Sequence, residues 1–189
     1  MAKLCIVAGP GGDNVKQMII QEAKEFFETV TYVSIKKVRI ALENGKSQAF
    51  YKDTSLDSFD AVWARGFFED YRLMEILLDI LEESTVFLVN STEGFQVCNH
   101  KYLSIQAAVR LGLPVPDSYI CVSPKIANEL AEKIGFPAVV KLLSGFGGKG
   151  VMLANSKKEF LPLLETLTLF REFITGQEFV ASEATDYRV

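Results

Sequence analysis

The sequence predicts an α/β protein built of two consecutive units, and three observations carry that prediction. Short apolar runs alternate with segments of helical period along most of the 189 residues, the pattern of a layered α/β fold. Leu4 to Ala8 is apolar without interruption, as a parallel strand buried on both faces requires. Near Val97 a fresh series of helix and strand signals begins, which places the units at residues 1–96 and 97–189.

Gly9-Pro-Gly-Gly12 ends the first strand, at the carboxyl end where α/β sheets often bind ligands, although a tight turn is the favoured reading here. A helix follows, with Asp13 or Asn14 as N-cap and Val15, Ile19, Ala23, Phe26, Phe27 and Val30 at helical spacing. Thr31 to Ile35 reads as the next strand, so the chain opens β-α-β. Val38, Ile40 and Leu42 alternate with polar residues, Asn44-Gly45 is a two-residue hairpin signal, and Ser47 to Tyr51 returns. Asp60 to Ala64 is a further strand. Tyr71 to Leu81 is a helix with Met74, Leu77, Leu78 and Leu81 on one face, and Thr85 to Val89 is another strand.

In the second unit Asn99 can cap a helix running to about Leu111, which Gly112, Pro114 and Pro116 stop. Ser118 to Val122 is a strand. Ser123-Pro124 opens a helix whose Ile126, Leu130 and Ile134 face one way before Gly135 ends it. An apolar strand then carries Lys141, a glycine loop follows, and Val151 to Ala154 is again strand-like. Ser156-Lys-Lys-Glu159 is a capping box for a helix through about Leu167, and Leu169 to Ile174 reads as the last strand.

Composition narrows the partners. With 49% apolar and 23% charged residues, and a net charge of −4 with scattered lysines, neither nucleic acid nor an anionic membrane is expected as a main partner. Cys5, Cys98 and Cys121 lack C-x-x-C spacing, and with one histidine the usual zinc sets cannot be assembled. Reduced thiols in a cytoplasm are the simple reading. No apolar run approaches the roughly 20 residues of a membrane span.

The chemistry centres on Val139 to Ala154, where a lysine inside an apolar run precedes four glycines. Gly145, Gly147 and Gly150 satisfy G-x-G-x-x-G, but the dinucleotide fingerprint needs a helix directly afterwards, and here a strand follows. The loop therefore joins two strands. On a strand of period two, Lys141 shares a face with Val139 and Leu143, while Ala138, Val140 and Leu142 take the other. An unpaired ammonium among apolar residues is costly; a phosphate can offset that, and glycine N–H groups can cover it. The alternative is a lysine snorkelling from an edge strand.

The order of motifs adds to this. Asn99-His-Lys101, Gly112-Leu-Pro-Val-Pro116, Gly135-Phe-Pro-Ala-Val-Val-Lys141, Ser144-Gly-Phe-Gly-Gly-Lys-Gly150 and Arg171-Glu-Phe-Ile174 follow one another. This succession resembles the ATP-grasp superfamily, most closely the RimK-type glutamate ligases. Upstream, the hairpin, Phe59 to Gly66 and Val89-Asn-Ser91 resemble the small Rossmann-like α/β domain that precedes the ATP-grasp domain there. The resemblance implies a small pre-ATP-grasp domain followed by the first, lid-bearing α+β part of an ATP-grasp domain.

By that resemblance Lys101 and Lys141 look like the two lysines that contact ATP phosphates. Ser144, Gly145, Gly147, Gly148, Lys149 and Gly150 look like the loop that folds over them, and Glu172, Phe173 and Ile174 like the hinge whose backbone reads adenine. Glu178 and Asp186 are rivals for the ribose hydroxyls; Asp186-Tyr-Arg188 resembles the D-x-R element of RimK-type ligases and synapsins, which makes Arg188 a candidate substrate contact. Arg65, after a strand end, is a candidate for a substrate carboxylate because its fork is bidentate, with a surface ion pair as the alternative. His100 is expected only to flank a helix start.

The resemblance further implies ATP and magnesium as cofactors, and an acyl-phosphate ligase that joins an amino acid such as glutamate to a small-molecule or peptide acceptor. A homo-oligomer is left open. In that family the metal ligands lie downstream of the D-x-R element, so the chain reads as an N-terminal portion, inactive alone. A non-catalytic, synapsin-like ATP-binding module, or a subunit completed by another chain, is the second reading.

Overall fold

The computed structural model describes residues 2–9, 13–65, 70–143, 149–171 and 173–181. The chain divides into two compact units, Met1–Asn99 and His100–Val189.

In the first unit β1 (Lys3–Ala8) is the buried central strand that its unbroken apolar run demands. It pairs in parallel with β2 (Thr29–Ser34) and with β6 (Ala61–Arg65), and β7 (Phe87–Leu88) joins β6, giving the order β2-β1-β6-β7. Helix α1 (Asp13–Ala23) places Ile19 and Ala23 against Leu4, Ile6 and Ala61 on one face. Helix α2 (Tyr71–Glu82) fills the other face, where Met74, Leu77, Leu78 and Leu81 meet Cys5, Val7, Val33, Val62 and Ala64. In chain order, between β2 and β6, comes the hairpin β3 (Val38–Glu43) and β4 (Lys46–Tyr51), extended by β5 (Thr54–Ser55) into a separate sheet. Its turn is Asn44-Gly45, both at positive φ (53° and 74°), the geometry a two-residue hairpin needs.

Three expectations need correction here. The first helix ends at Ala23, not near Val30: the amides of Glu25 and Phe26 bond only three residues back, which tightens the chain into a turn. Phe26 is left 78% exposed, and Val30 belongs to β2, whose entry is tied by the Glu28 amide to the Ala2 carbonyl. The last strand of the unit shrinks to Phe87–Leu88. A helix not foreseen, α3 (Thr92–Asn99), follows; Ser91 Oγ accepts from the Gly94 amide at 3.0 Å and so starts it.

In the second unit α4 (Lys101–Arg110) is capped by His100, whose Nδ1 accepts from the Leu103 amide at 3.3 Å; Asn99 is instead the last residue of α3. Strands β8 (Ser118–Cys121), β9 (Ala138–Lys141), β10 (Val151–Ala154) and β11 (Ile174–Glu178) form one antiparallel sheet, order β10-β9-β11-β8. The strands on either side of the glycine loop are antiparallel partners, Val151 opposite Lys141 and Ala154 opposite Ala138. Helices α5 (Pro124–Ile134) and α6 (Lys157–Leu169) cover one face and bury Ala127, Ala131, Phe160, Leu164 and Leu167 against Val140 and Ala154.

Two details differ from expectation. The Ser156 side chain makes no cap bond; Glu159 reaches back one residue further and accepts from the Asn155 amide at 2.8 Å. The last strand begins at Ile174, because α6 continues to Leu169 and Arg171, at φ 54°, turns the chain afterwards.

Candidate functional site

The sheet of the second unit has a helix-covered face and another that carries polar groups, and period two decides which side chain goes where. Ala138 and Val140 are fully buried beneath α5 and α6, which leaves Val139, Lys141 and Leu143 on the opposite side. Strand pairing sets Gln177 across from Val139 and Ser118 across from Gln177 on that same side. Lys101, Tyr102 and Ile105 of α4 close the border. Together they line an open pocket that also includes Thr175.

Two lysines come together here, one from each direction of the chain. Lys101, the first residue of α4, donates from Nζ to the Leu143 carbonyl at 3.2 Å, just beyond β9. Lys141 donates from Nζ to Gln177 Oε1. Burial lowers the pKa of Lys101 from the ordinary lysine value, and the Lys141 ammonium lowers it further. Burial likewise lowers that of Lys141. Both shifts mean that the charged form lacks the solvation it has in water, so an anion entering the pocket would meet two under-solvated cations.

The backbone at Lys141 is held from β11. Its amide donates to Thr175 Oγ1 at 3.1 Å, and the same hydroxyl donates to the Lys141 carbonyl. Thr175 and Gln177 are each only 8% exposed. Neither was foreseen as a site residue, because the last strand was placed too early; polar residues two apart on a strand facing Lys141 are the signal that could have found them.

The remaining candidates of the second unit fall into three groups. Lys149 is exposed and Gly150 half-buried at the foot of β10, where the Leu142 amide donates to the Gly150 carbonyl at 2.8 Å. Phe173 is exposed, Ile174 opens β11 opposite Cys121, and Glu178 ends β11 with its amide on the Asp117 carbonyl at 2.9 Å. Ser144, Gly145, Gly147, Gly148, Glu172, Asp186 and Arg188 lie outside the described residues.

Arg65 lies in the first unit at the carboxyl end of β6, its guanidinium 5.1 Å from the centre of the Trp63 ring. Among the described residues no carboxylate pairs with it. Among the same residues no three His, Cys, Asp or Glu side chains are grouped as a metal site requires.

Residues 98–189 match the model of the RimK-like ATP-grasp domain. A protein of Desulfotalea psychrophila named "Probable alpha-L-glutamate ligase" is 25% identical over 165 residues, which are 87% of this chain and 36% of that protein. One of the same name from Thioalkalivibrio sulfidiphilus is 34% identical over 149 residues, 78% of this chain and 50% of that one. The chain thus spans between about a third and a half of these relatives. In fold it is similar to a RimK domain ATP-grasp protein of Sphaerobacter thermophilus, with TM-score 0.74, 19% identity, and coverage of 97% of this chain and 66% of that one. It is also similar to D-alanyl-alanine synthetase A of Vibrio cholerae, with TM-score 0.66, 16% identity, and coverage of 95% and 60%.

Proposed function

Because residues 98–189 belong to the RimK-like ATP-grasp family, we propose that the chain is the nucleotide-binding portion of an ATP-dependent carboxylate–amine ligase. The observation that carries this reading is the meeting of Lys101 and Lys141 in one pocket, each with its charged form disfavoured by burial. Two such ammonium groups suit the phosphates of ATP, since a polyanion supplies the partner that solvent no longer does.

In the reaction a carboxylate oxygen attacks the γ-phosphorus, and the bond from that phosphorus to the β–γ bridging oxygen breaks. ADP leaves, and the carboxylate becomes an acyl phosphate. An amine then attacks the acyl carbon, loses a proton, and phosphate departs with the bonding electrons. The residues described here act in the first step, where Lys101 and Lys141 offset charge on the triphosphate. Lys149 and Gly150, with Ser144, Gly145, Gly147 and Gly148, form its cover, and Phe173 and Ile174, with Glu172, the adenine hinge. Glu178 or Asp186 takes the ribose, and Arg65 and Arg188 the substrate carboxylates. The names of the relatives support glutamate as one of the two substrates; in this reading it supplies the amine, and a peptide or small molecule is the acceptor. Magnesium would accompany the nucleotide and offset the charge of its phosphates. Three free cysteines agree with a cytoplasmic setting.

The test is titration of ATP and magnesium against wild type, Lys101→Met and Lys141→Met. Methionine keeps most of the alkyl volume and removes the charge. Each variant should fold and bind about ten- to a hundred-fold more weakly, roughly 1.5–3 kcal/mol for a charge-assisted contact. Unchanged affinity in both would remove the phosphate assignment.

A further inference from the structure

A lysine withdrawn from solvent is ordinarily matched with a carboxylate, yet the half-buried Lys141 is matched with an amide. That amide belongs to a hydrogen-bonded series. Ser118 Oγ donates its single proton to the Pro116 carbonyl at 2.8 Å, so toward Gln177 it can only accept. It accepts from Gln177 Nε2 at 2.8 Å, which turns Gln177 Oε1 toward Lys141 Nζ. The amide could otherwise be placed either way round; with its nitrogen toward Lys141, two donors would face each other.

We propose that Gln177 is a positioning residue for Lys141: oriented by Ser118 and Pro116, it holds the ammonium at the pocket without neutralising it. This rests on the nucleotide reading of the pocket. Its physical sense is that a carboxylate at 177 would bond Lys141 more strongly, and would also cancel one of the two positive charges meant for the incoming phosphates. A neutral acceptor keeps both. The ionisable groups among the described lining residues are Lys101 and Tyr102 of α4, Tyr119 of β8 and Lys141 itself. Gln177 is 8% exposed and lies on a strand bonded on both sides, so its own main chain has little freedom to follow a changed side chain.

The experiment uses the 189-residue chain with labelled lysine side chains, the Lys141 signal assigned by its loss in Lys141→Met. The titration of Lys141 is followed by NMR without nucleotide, and ATP–magnesium affinity is measured separately, for wild type, Gln177→Glu, Gln177→Leu and Ser118→Ala. In Gln177→Glu the pKa of Lys141 should rise, while affinity falls by about tenfold or more, since a stronger hydrogen bond comes with a lost charge. In Gln177→Leu the pKa should fall further below wild type and affinity should also fall. Ser118→Ala frees the amide to turn and should lower both, less than Gln177→Leu does. Since it removes one hydroxyl from a half-buried position, it keeps the test available if the Gln177 variants do not fold. A Lys141 titration identical in all folded variants overturns the proposal, as does a Gln177→Glu variant that binds ATP as well as wild type or better. If wild type itself binds no ATP, the nucleotide reading falls and with it the purpose assigned to Gln177, whereas the nucleotide-free titration still reports whether the amide holds the ammonium.

Discussion

Gly150 closes the foot of the β9–β10 hairpin against Leu142: its carbonyl accepts from the Leu142 amide at 2.8 Å, and a Cβ built on it would sit 2.8 Å from Leu142 Cδ1. Its φ of 77° is in the left-handed region besides. Two separate requirements therefore select glycine, one of backbone conformation and one of space.

Gly150→Ala should accordingly destabilise the second unit by about 1–3 kcal/mol, from the left-handed strain and the push on Leu142. Leu142→Ala removes the contacts of Cδ1 and Cγ, keeps that of Cβ at 3.0 Å, and so relieves part of the crowding while leaving the strain. Denaturant unfolding of the two single variants and the double variant measures the coupling, and an additive double variant would show that the contact contributes nothing.

The lysine pair makes stability depend on alkaline pH. Lys101 and Lys141 have folded-state pKa values below the ordinary lysine value, so between those values and about 10.5 the unfolded chain binds more protons. Stability contributed by these groups therefore rises with pH across that window, and their penalty is fully present below it. Relative to Lys101→Met, wild type should gain stability as pH climbs toward 10.5. Parallel pH curves for the two would refute the shift.

Cysteine reactivity should follow burial. Cys5 is fully buried in the central strand, and burial pushes its thiol up to about 12, whereas Cys98 is exposed on α3. An alkylating reagent at neutral pH should modify Cys98 first and Cys5 only at the rate at which the first unit opens. Mass spectrometry of the timed reaction checks the order.

In the first unit the Ala64 amide of β6 donates to Asn90 Oδ1 at 3.2 Å. Asn90→Ala should cost about 1–3 kcal/mol, the range for leaving a buried donor unpaired. Asn90→Asp, which keeps an acceptor there, should cost less, and thermal unfolding of the two variants distinguishes them.

Much of this architecture was legible because its rules are local. Unbroken apolarity marked β1, Asn44-Gly45 marked the hairpin, and alternation along Ala138 to Leu143 placed Lys141 on the side away from α5 and α6. Strand parity needs no knowledge of the rest of the chain. The resemblance that pointed to an ATP-grasp fold likewise rested on ordered short motifs, each read without a partner.

What lay beyond the sequence depended on competition between neighbouring elements. Phe26 and Val30 keep helical spacing with Ile19, yet Val30 is claimed by the parallel ladder with β1, because pairing along a whole strand outweighs one more helical turn on a partly exposed face. Leu169 reads as strand but ends α6, since Leu164 and Leu167 are already buried on that helix, and β11 takes its start from its partners Cys121 and Val140. The partner of Lys141 was least visible of all. Gln177 is 36 positions away, and the two meet only because β9 and β11 adopt one register; a buried polar group must take the acceptor that the sheet brings to it, and no local spacing names that acceptor in advance.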